Sequence, residues 1–247
     1  MRLEDYPETM GLDPRTTNRG FRFVELSAAH PVISRDVFLN IKFDTQYSIK
    51  SELVGLVREV LAYDWSAEPN YAAAAEHLVG WNNRMDVENT HAAIAGMMVT
   101  RKILLDREAA NYTALDLFRW SVDYLTRNFG RIDPNWGKVN RLVRGDVNLP
   151  VDGGPDTLRA IYAFEFLDGG QIKAVAGDTW IGIAEWDENG HLNADIIHQF
   201  GSATMDASSP HYADQAPLFV AEKWRKAMLT RTEVEARPHT TYRPGEE

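Results

Sequence analysis

The sequence predicts an α+β protein, and three observations carry that reading. Apolar residues recur at helical spacing through the first half, short β-like runs fill the second half, and the two patterns follow one another without alternating. Alternation would have pointed to a parallel α/β sheet instead. A chain of 247 residues suits one large domain or two small ones. We expect an extended segment over 1–33, a helical region over 34–130 and a β-rich segment with a C-terminal docking tail over 131–247, all parts of one larger domain.

Four helices are read from the apolar period. Leu53, Leu56, Val57, Val60 and Leu61 mark the first, and Tyr71, Ala74, Ala75, Leu78 and Val79 the second. Ala93, Ile94, Met97 and Met98 mark the third, and Leu117, Phe118, Tyr124 and Leu125 the fourth. Pro69, the polar stretch "NNRMDVENT" and Gly130 fall where helices begin or end, and Thr113 is placed to cap the fourth. "RGDVNLPVDGGPDT" reads as a loop, because turn formers dominate it. Strands are expected over 158–166, 171–176, 179–186 and 192–200. "LDGGQ" and the Asn189-Gly190 pair of "DENG" supply hairpin turns between them. A short helix is expected over 218–228, followed by a polar tail ending "RPGEE".

Composition excludes several functions. Lys plus Arg number 26 against 36 Asp plus Glu, a formal charge of -10 with no basic cluster, which argues against nucleic acid and anionic membranes as partners. The absence of cysteine removes disulfides, thiolate metal sites and a cysteine nucleophile. No run of about 18 apolar residues occurs, and "MRLEDYPETM" lacks the apolar core of a signal peptide, so the sequence as it stands reads as cytoplasmic.

The remaining clusters point mostly to structure. His191, His198 and His211 with Asp195 and Asp214 lack any metal-motif spacing, and strand alternation turns His198 away from His191 and Asp195. We expect no metal and no cofactor. "VDGGPDTLRA" lacks the lysine of a phosphate loop, and Asp152 and Asp156 beside its glycines read as turn formers. Arg19 and Arg22 in "TTNRGFRFVEL" read as solvated or carboxylate-paired arginines. Ser208, His211 and Asp214 in "SSPHYADQAPLF" bring the residue types of a hydrolase triad together. No Gly-x-Ser-x-Gly elbow surrounds Ser208, so His211 and Asp214 are read as anchors of the final helix.

Five segments, in order, resemble the C-terminal part of the β chain of penicillin-acylase-family enzymes, on the branch with aculeacin-type and acyl-homoserine-lactone acylases. They are "DYPETMGLDPRTTNRGFR", "ISRDVFLNIKFDTQYS", "WGKVNRLVRGDVNLPVDGGPDTLRA", "GDTWIGIAEW" and "SPHYADQAPLF". The third and fifth are the most specific, and the resemblance runs over nearly the whole chain. It implies an N-terminal-nucleophile hydrolase with an αββα sandwich, of which this chain is the C-terminal portion. In that family a serine at the N-terminus of the β chain attacks the amide carbonyl with its own α-amine as base, and an asparagine helps hold the oxyanion.

The resemblance further implies that the serine and that asparagine lie upstream of "DYP" and are absent from this chain, which alone is expected to be inactive. Its partners are then the upstream portion of the same acylase, the α chain and the N-terminal part of the β chain, together with a small-molecule acyl amide such as a penicillin, an N-acyl homoserine lactone or a lipopeptide. Arg19 matches the arginine that orients the oxyanion asparagine in the family, and His211 and Asp214 fall in a segment that ties down the chain end. The family is commonly exported, by a signal peptide on the precursor. A second reading is a non-catalytic partner-binding module or separately encoded subunit derived from the same fold; a third is an independent hydrolase using Ser208 and His211.

Overall fold

The computed structural model describes residues 7–10 and 16–237. The chain divides into two compact units, Met1–Asp178 and Thr179–Glu247. The first unit holds residues on both sides of position 130, the helices together with the sheet that follows them. Helices followed by sheets are what the structure contains.

In the first unit α1 (Asn18–Ala29) and α2 (Arg35–Lys42) precede the four foreseen helices, α3 (Glu52–Ala62), α4 (Pro69–Val79), α5 (Ala92–Arg107) and α6 (Ala114–Phe129). Every residue from Ala92 to Thr100 of α5 is buried, the pattern of a helix surrounded on all sides. Leu117, Phe118 and Leu125 of α6 are buried in the same core, where each such side chain contributes about 1.5–3 kcal/mol. Local signals set the ends of these helices. Ser51 caps α3, Pro69 opens α4, and Thr113 and Asp116 form a capping box that starts α6. Gly130 stops α6 at φ 66°, a conformation only glycine adopts without strain.

A one-turn helix α7 (Trp136–Val139) feeds a four-stranded sheet of β1 (Asn140–Arg144), β2 (Val147–Pro150), β3 (Ile161–Phe166) and β4 (Ile172–Gly177) in the order β2-β1-β4-β3. The pairings are antiparallel except β1 with β4, which is parallel. Two sequence expectations need correction here. The stretch 1–33 is not simply extended, since α1 occupies 18–29, and "RGDVNLPVDGGPDT" is not simply a loop, since its first half closes the β1–β2 hairpin through Gly145 at φ 56°.

The second unit holds β5 (Trp180–Trp186), β6 (Leu192–His198) and β7 (Arg225–Lys226), ordered β5-β6-β7 and antiparallel throughout. Gly190 takes φ 80° in the β5–β6 turn, where the Asp187 carboxylate accepts from the Asn189 and His191 backbone amides. The helix expected over 218–228 ends early. α8 spans Ala216–Val220, Glu222 turns the chain at φ 55°, and Arg225 and Lys226 then pair with β6. A last helix, α9 (Arg231–Glu235), starts at a Thr230–Glu233 capping box.

The indole of Trp136 is fully buried, donates from Nε1 to the Gly153 carbonyl at 2.8 Å, and lies over Gly96 of α5. A Cβ at position 96 would overlap that ring and the Met85 side chain. Gly96→Ala is expected to destabilise the protein by about 1–3 kcal/mol through overpacking, despite the better helix propensity of alanine. A melting temperature at or above that of the parent would contradict this packing.

Candidate functional site

The site is built around α1, which turns a polar stripe inward. Its inward stripe is polar, Asn18, Arg22 and Glu25 at i, i+4 and i+7, while Phe23 and Val24 are 53% and 66% exposed. A polar stripe can be turned inward only where every polar atom finds a partner.

Asn18 is buried and makes three side-chain bonds. Its Nδ2 donates to the carbonyls of Gln46 at 3.1 Å and Asp156 at 2.9 Å, and its Oδ1 accepts from the Ser48 amide at 2.7 Å. Arg22 grips Asp44 with two parallel bonds, Nε to Oδ2 at 2.9 Å and Nη2 to Oδ1 at 3.1 Å, with the two side chains only 11% and 6% exposed. Arg22 Nη1 reaches Glu25 at 2.9 Å, and Glu25 in turn accepts from the Ser48 hydroxyl at 2.6 Å. The Ser48 hydroxyl, with Arg22, holds the Glu25 carboxyl below its ordinary range against the opposing effect of burial. Arg84 extends the network, lying 3.7 Å from Asp44 and pairing with Asp86 at 2.8 Å.

Arg19 stands at the edge of this cluster. Its side chain is 50% exposed, and its Nε donates to Asp156 Oδ1 at 3.2 Å. The other Asp156 oxygen accepts from the Asn18 backbone amide at 2.7 Å. Thr17 precedes α1 without a side-chain capping bond, so a carboxylate 138 positions away serves the open N-terminus of the helix.

Beside it, Arg159 is wholly buried. It lies 3.4 Å from Asp152 and 3.4 Å from Asp178, with its guanidinium 5.1 Å from the centre of the Phe43 ring. Burial pushes the Asp152 carboxyl up despite Arg159. Lys42 Nζ donates to Asp178 at 2.7 Å and to the Leu158 carbonyl at 3.1 Å.

The first three resemblance segments therefore meet in space: Asn18, Arg19 and Arg22 from the first, Asp44 and Ser48 from the second, Asp152, Asp156 and Arg159 from the third. Sequence reading named Arg19 and took Asp156 as a turn former, which its φ of 62° supports. It passed over Asp44 and Arg159. A lone aspartate between Phe43 and Thr45 gives no signal of the arginine 22 residues before it that it will bind.

His211 and Asp214 lie in the second unit, away from this set in the chain. His211 Nδ1 lies 3.0 Å from Asp214 Oδ2, in an exposed pair. The Ser208 hydroxyl donates to Asp206 at 2.6 Å. The backbone of this segment is tied to the end of β6: the His211 carbonyl accepts from the Ala203 amide at 3.1 Å, and the Gln215 amide donates to the Phe200 carbonyl at 2.6 Å. Gln215 and Phe219 are buried. Among the described residues no group of three His, Cys, Asp or Glu is arranged to hold a metal ion, and no helix is long and apolar enough to cross a membrane.

The penicillin amidase family model matches residues 2–236, and the chain belongs to that family. Its relatives include the acyl-homoserine lactone acylases PvdQ of two Pseudomonas fluorescens strains. The Pf-5 protein is 26% identical over 106 residues and the Pf0-1 protein 27% over 105, each match covering 42% of this chain and 13% of the relative's length. Among solved structures, a thermostable penicillin G acylase from Alcaligenes faecalis aligns over 93% of this chain and 52% of its own, with 10% identity and a TM-score of 0.45.

Two tests follow from this geometry. A carboxyl held below its ordinary pKa stabilises fully above the unfolded value and loses that contribution as pH falls through the folded one. Melting temperature is therefore expected to stay level down to about pH 5 and fall below about pH 4. Glu25→Gln should lower stability by about 0.5–1.5 kcal/mol at pH 7 and shrink the acid fall; an unchanged acid limb would remove Glu25 from the anchor. For the second unit, His211→Ala should cost about 0.5–1 kcal/mol, since the Asp214 pair is exposed. Gly201→Ala should cost more, because a Cβ there meets the His211 carbonyl and the Asp214 carboxylate. The reverse ranking in thermal melts would contradict the backbone lock.

Proposed function

We propose that this chain is part of a penicillin-acylase-type amidohydrolase that cleaves a linear acyl amide, of the penicillin, N-acyl homoserine lactone or lipopeptide class. The family match over residues 2–236 carries this reading. The named activity of the acyl-homoserine lactone acylase relatives makes N-acyl homoserine lactones the first substrates to try. The αββα sandwich of the resemblance is the architecture to which this chain would contribute.

In this reading the serine nucleophile, its α-amine base and the oxyanion asparagine come from the upstream portion of the same acylase. Arg19 orients that asparagine, a task suited to a planar guanidinium that holds an amide oxygen in fixed geometry. The partner is supported by the outer surface of α1 and the chain beyond it, where Phe23, Val24, Val32, Ile33 and Phe38 are all exposed. Several large apolar side chains exposed within one stretch of chain favour burial against another protein surface.

The test is hydrolysis of N-acyl homoserine lactones and penicillins by the chain alone and by the chain assembled with the upstream portion. Turnover is expected only in the assembly. Arg19→Ala should lower turnover about tenfold or more with little change in melting, while Arg22→Ala, which strands Asp44, should cost about 3 kcal/mol of stability. Turnover by the chain alone would overturn the division of labour. Full turnover in Arg19→Ala would remove Arg19 from the site, and an assembly that forms without hydrolysing any acyl amide would favour the non-catalytic module.

A further inference from the structure

We propose that Asp156 is a positioning residue that sets the orientation of Arg19 in the assembled enzyme; the inference rests on the role given to Arg19 above. The aspartate is held in an uncommon conformation. Its φ is 62°, a region that non-glycine residues visit rarely and that Asn and Asp tolerate best.

Both neighbouring peptides are clamped. The Asp156 amide donates to the Tyr162 hydroxyl at 3.2 Å, and the Tyr47 hydroxyl donates to the Pro155 carbonyl. Tyr47 is buried, and that burial pushes its phenol well above the ordinary range, so it remains a neutral donor. The Asp156 carbonyl is held by Asn18 Nδ2 at 2.9 Å. With its backbone fixed on all these sides, the carboxylate has little freedom in where it points.

Its two oxygens divide their work. Oδ2 takes the first amide of α1 and so sets the start of the helix that carries Arg19, while Oδ1 takes Arg19 Nε. Gripping the Nε edge leaves the far edge of the fork for another group. Among the described residues neither terminal amine of Arg19 has an acceptor within hydrogen-bonding distance. A carboxylate at Nε thus fixes the plane of the guanidinium and directs its Nη pair outward, the geometry required to present two donors to an amide oxygen.

A plain helix cap would make the same contacts without bearing on turnover, so the test separates the two roles. Asp156→Asn keeps the tolerance for positive φ and an oxygen for the Asn18 amide, but removes the charge from Arg19. In the assembled acylase, with N-acyl homoserine lactone as substrate, we expect kcat to fall about tenfold with KM within about twofold. In an Arg19→Ala background the same change should alter kcat by less than about twofold, because the two act as one unit.

In ¹H–¹⁵N spectra the Arg19 Nε–H resonance should shift and exchange faster with water in Asp156→Asn. Loss of kcat in Arg19→Ala with none in Asp156→Asn would overturn the role of Asp156 and leave that of Arg19. Additive losses in the double variant would make Asp156 a cap and overturn it equally. Unchanged kcat in Arg19→Ala would overturn both. If the assembly hydrolyses no acyl amide, the proposed function fails, and an Nε–H resonance unmoved by Asp156→Asn would overturn the positioning contact on its own.

Discussion

The polar seat of α1 is the constraint on which the organisation of the first unit depends. Its inward face carries Asn18, Arg22 and Glu25, and these reach segments near residues 44–48 and 156. The bidentate Arg22–Asp44 pair is nearly out of water, where losing one partner leaves a buried charge with only a secondary neighbour, Glu25 for Arg22 and the more distant Arg84 for Asp44. That asymmetry, more than the net strength of the pair, fixes where α1 lies. It also leaves Phe23 and Val24 of α1 exposed.

The same logic extends to Arg159. Its side chain is wholly buried between Asp152 and Asp178 and over the Phe43 ring, and Lys42 shares Asp178. Two arginine-centred clusters therefore stand side by side, and the backbone links them: the Arg159 amide donates to the Asp44 carbonyl at 2.9 Å. Networks of this kind are rigid when satisfied and costly when broken. The loop bearing Asp156 is joined to the helix bearing Arg19 by three hydrogen bonds on this foundation.

Helices α3 to α6 were legible in the sequence because they bury apolar residues at the helical period and carry local boundary signals, Pro69 opening α4 and Gly130 closing α6. Helix α1 was not, because what it buries is polar and its partners lie far along the chain. Arg19 and Asp156 are 137 residues apart, and neither type of residue announces such a partner. The β1–β2 hairpin hid for the opposite reason: its Gly, Asp and Pro residues satisfy every criterion for a loop, and the strand pairing across Gly145 comes from tertiary context. The end of the helix predicted over 218–228 was missed where Glu222 takes a positive φ, which no residue type at that position foretells. Backbone bonds join the "SPHYADQ" segment to the end of β6, a pairing that nothing in its residue types announces, whereas the His211–Asp214 pair that drew attention to it is exposed.

The central claim is that α1 is fixed by its polar face so that its apolar face receives the remainder of an acylase. Backbone hydrogen exchange across α1 and α2, measured for this chain alone and for the assembly with the upstream portion, tests it most directly. The account expects exchange to slow on assembly at residues 18–42, with α5 unchanged because it is already buried. Equal exchange at residues 18–42 in both states, with assembly independently established, would contradict it.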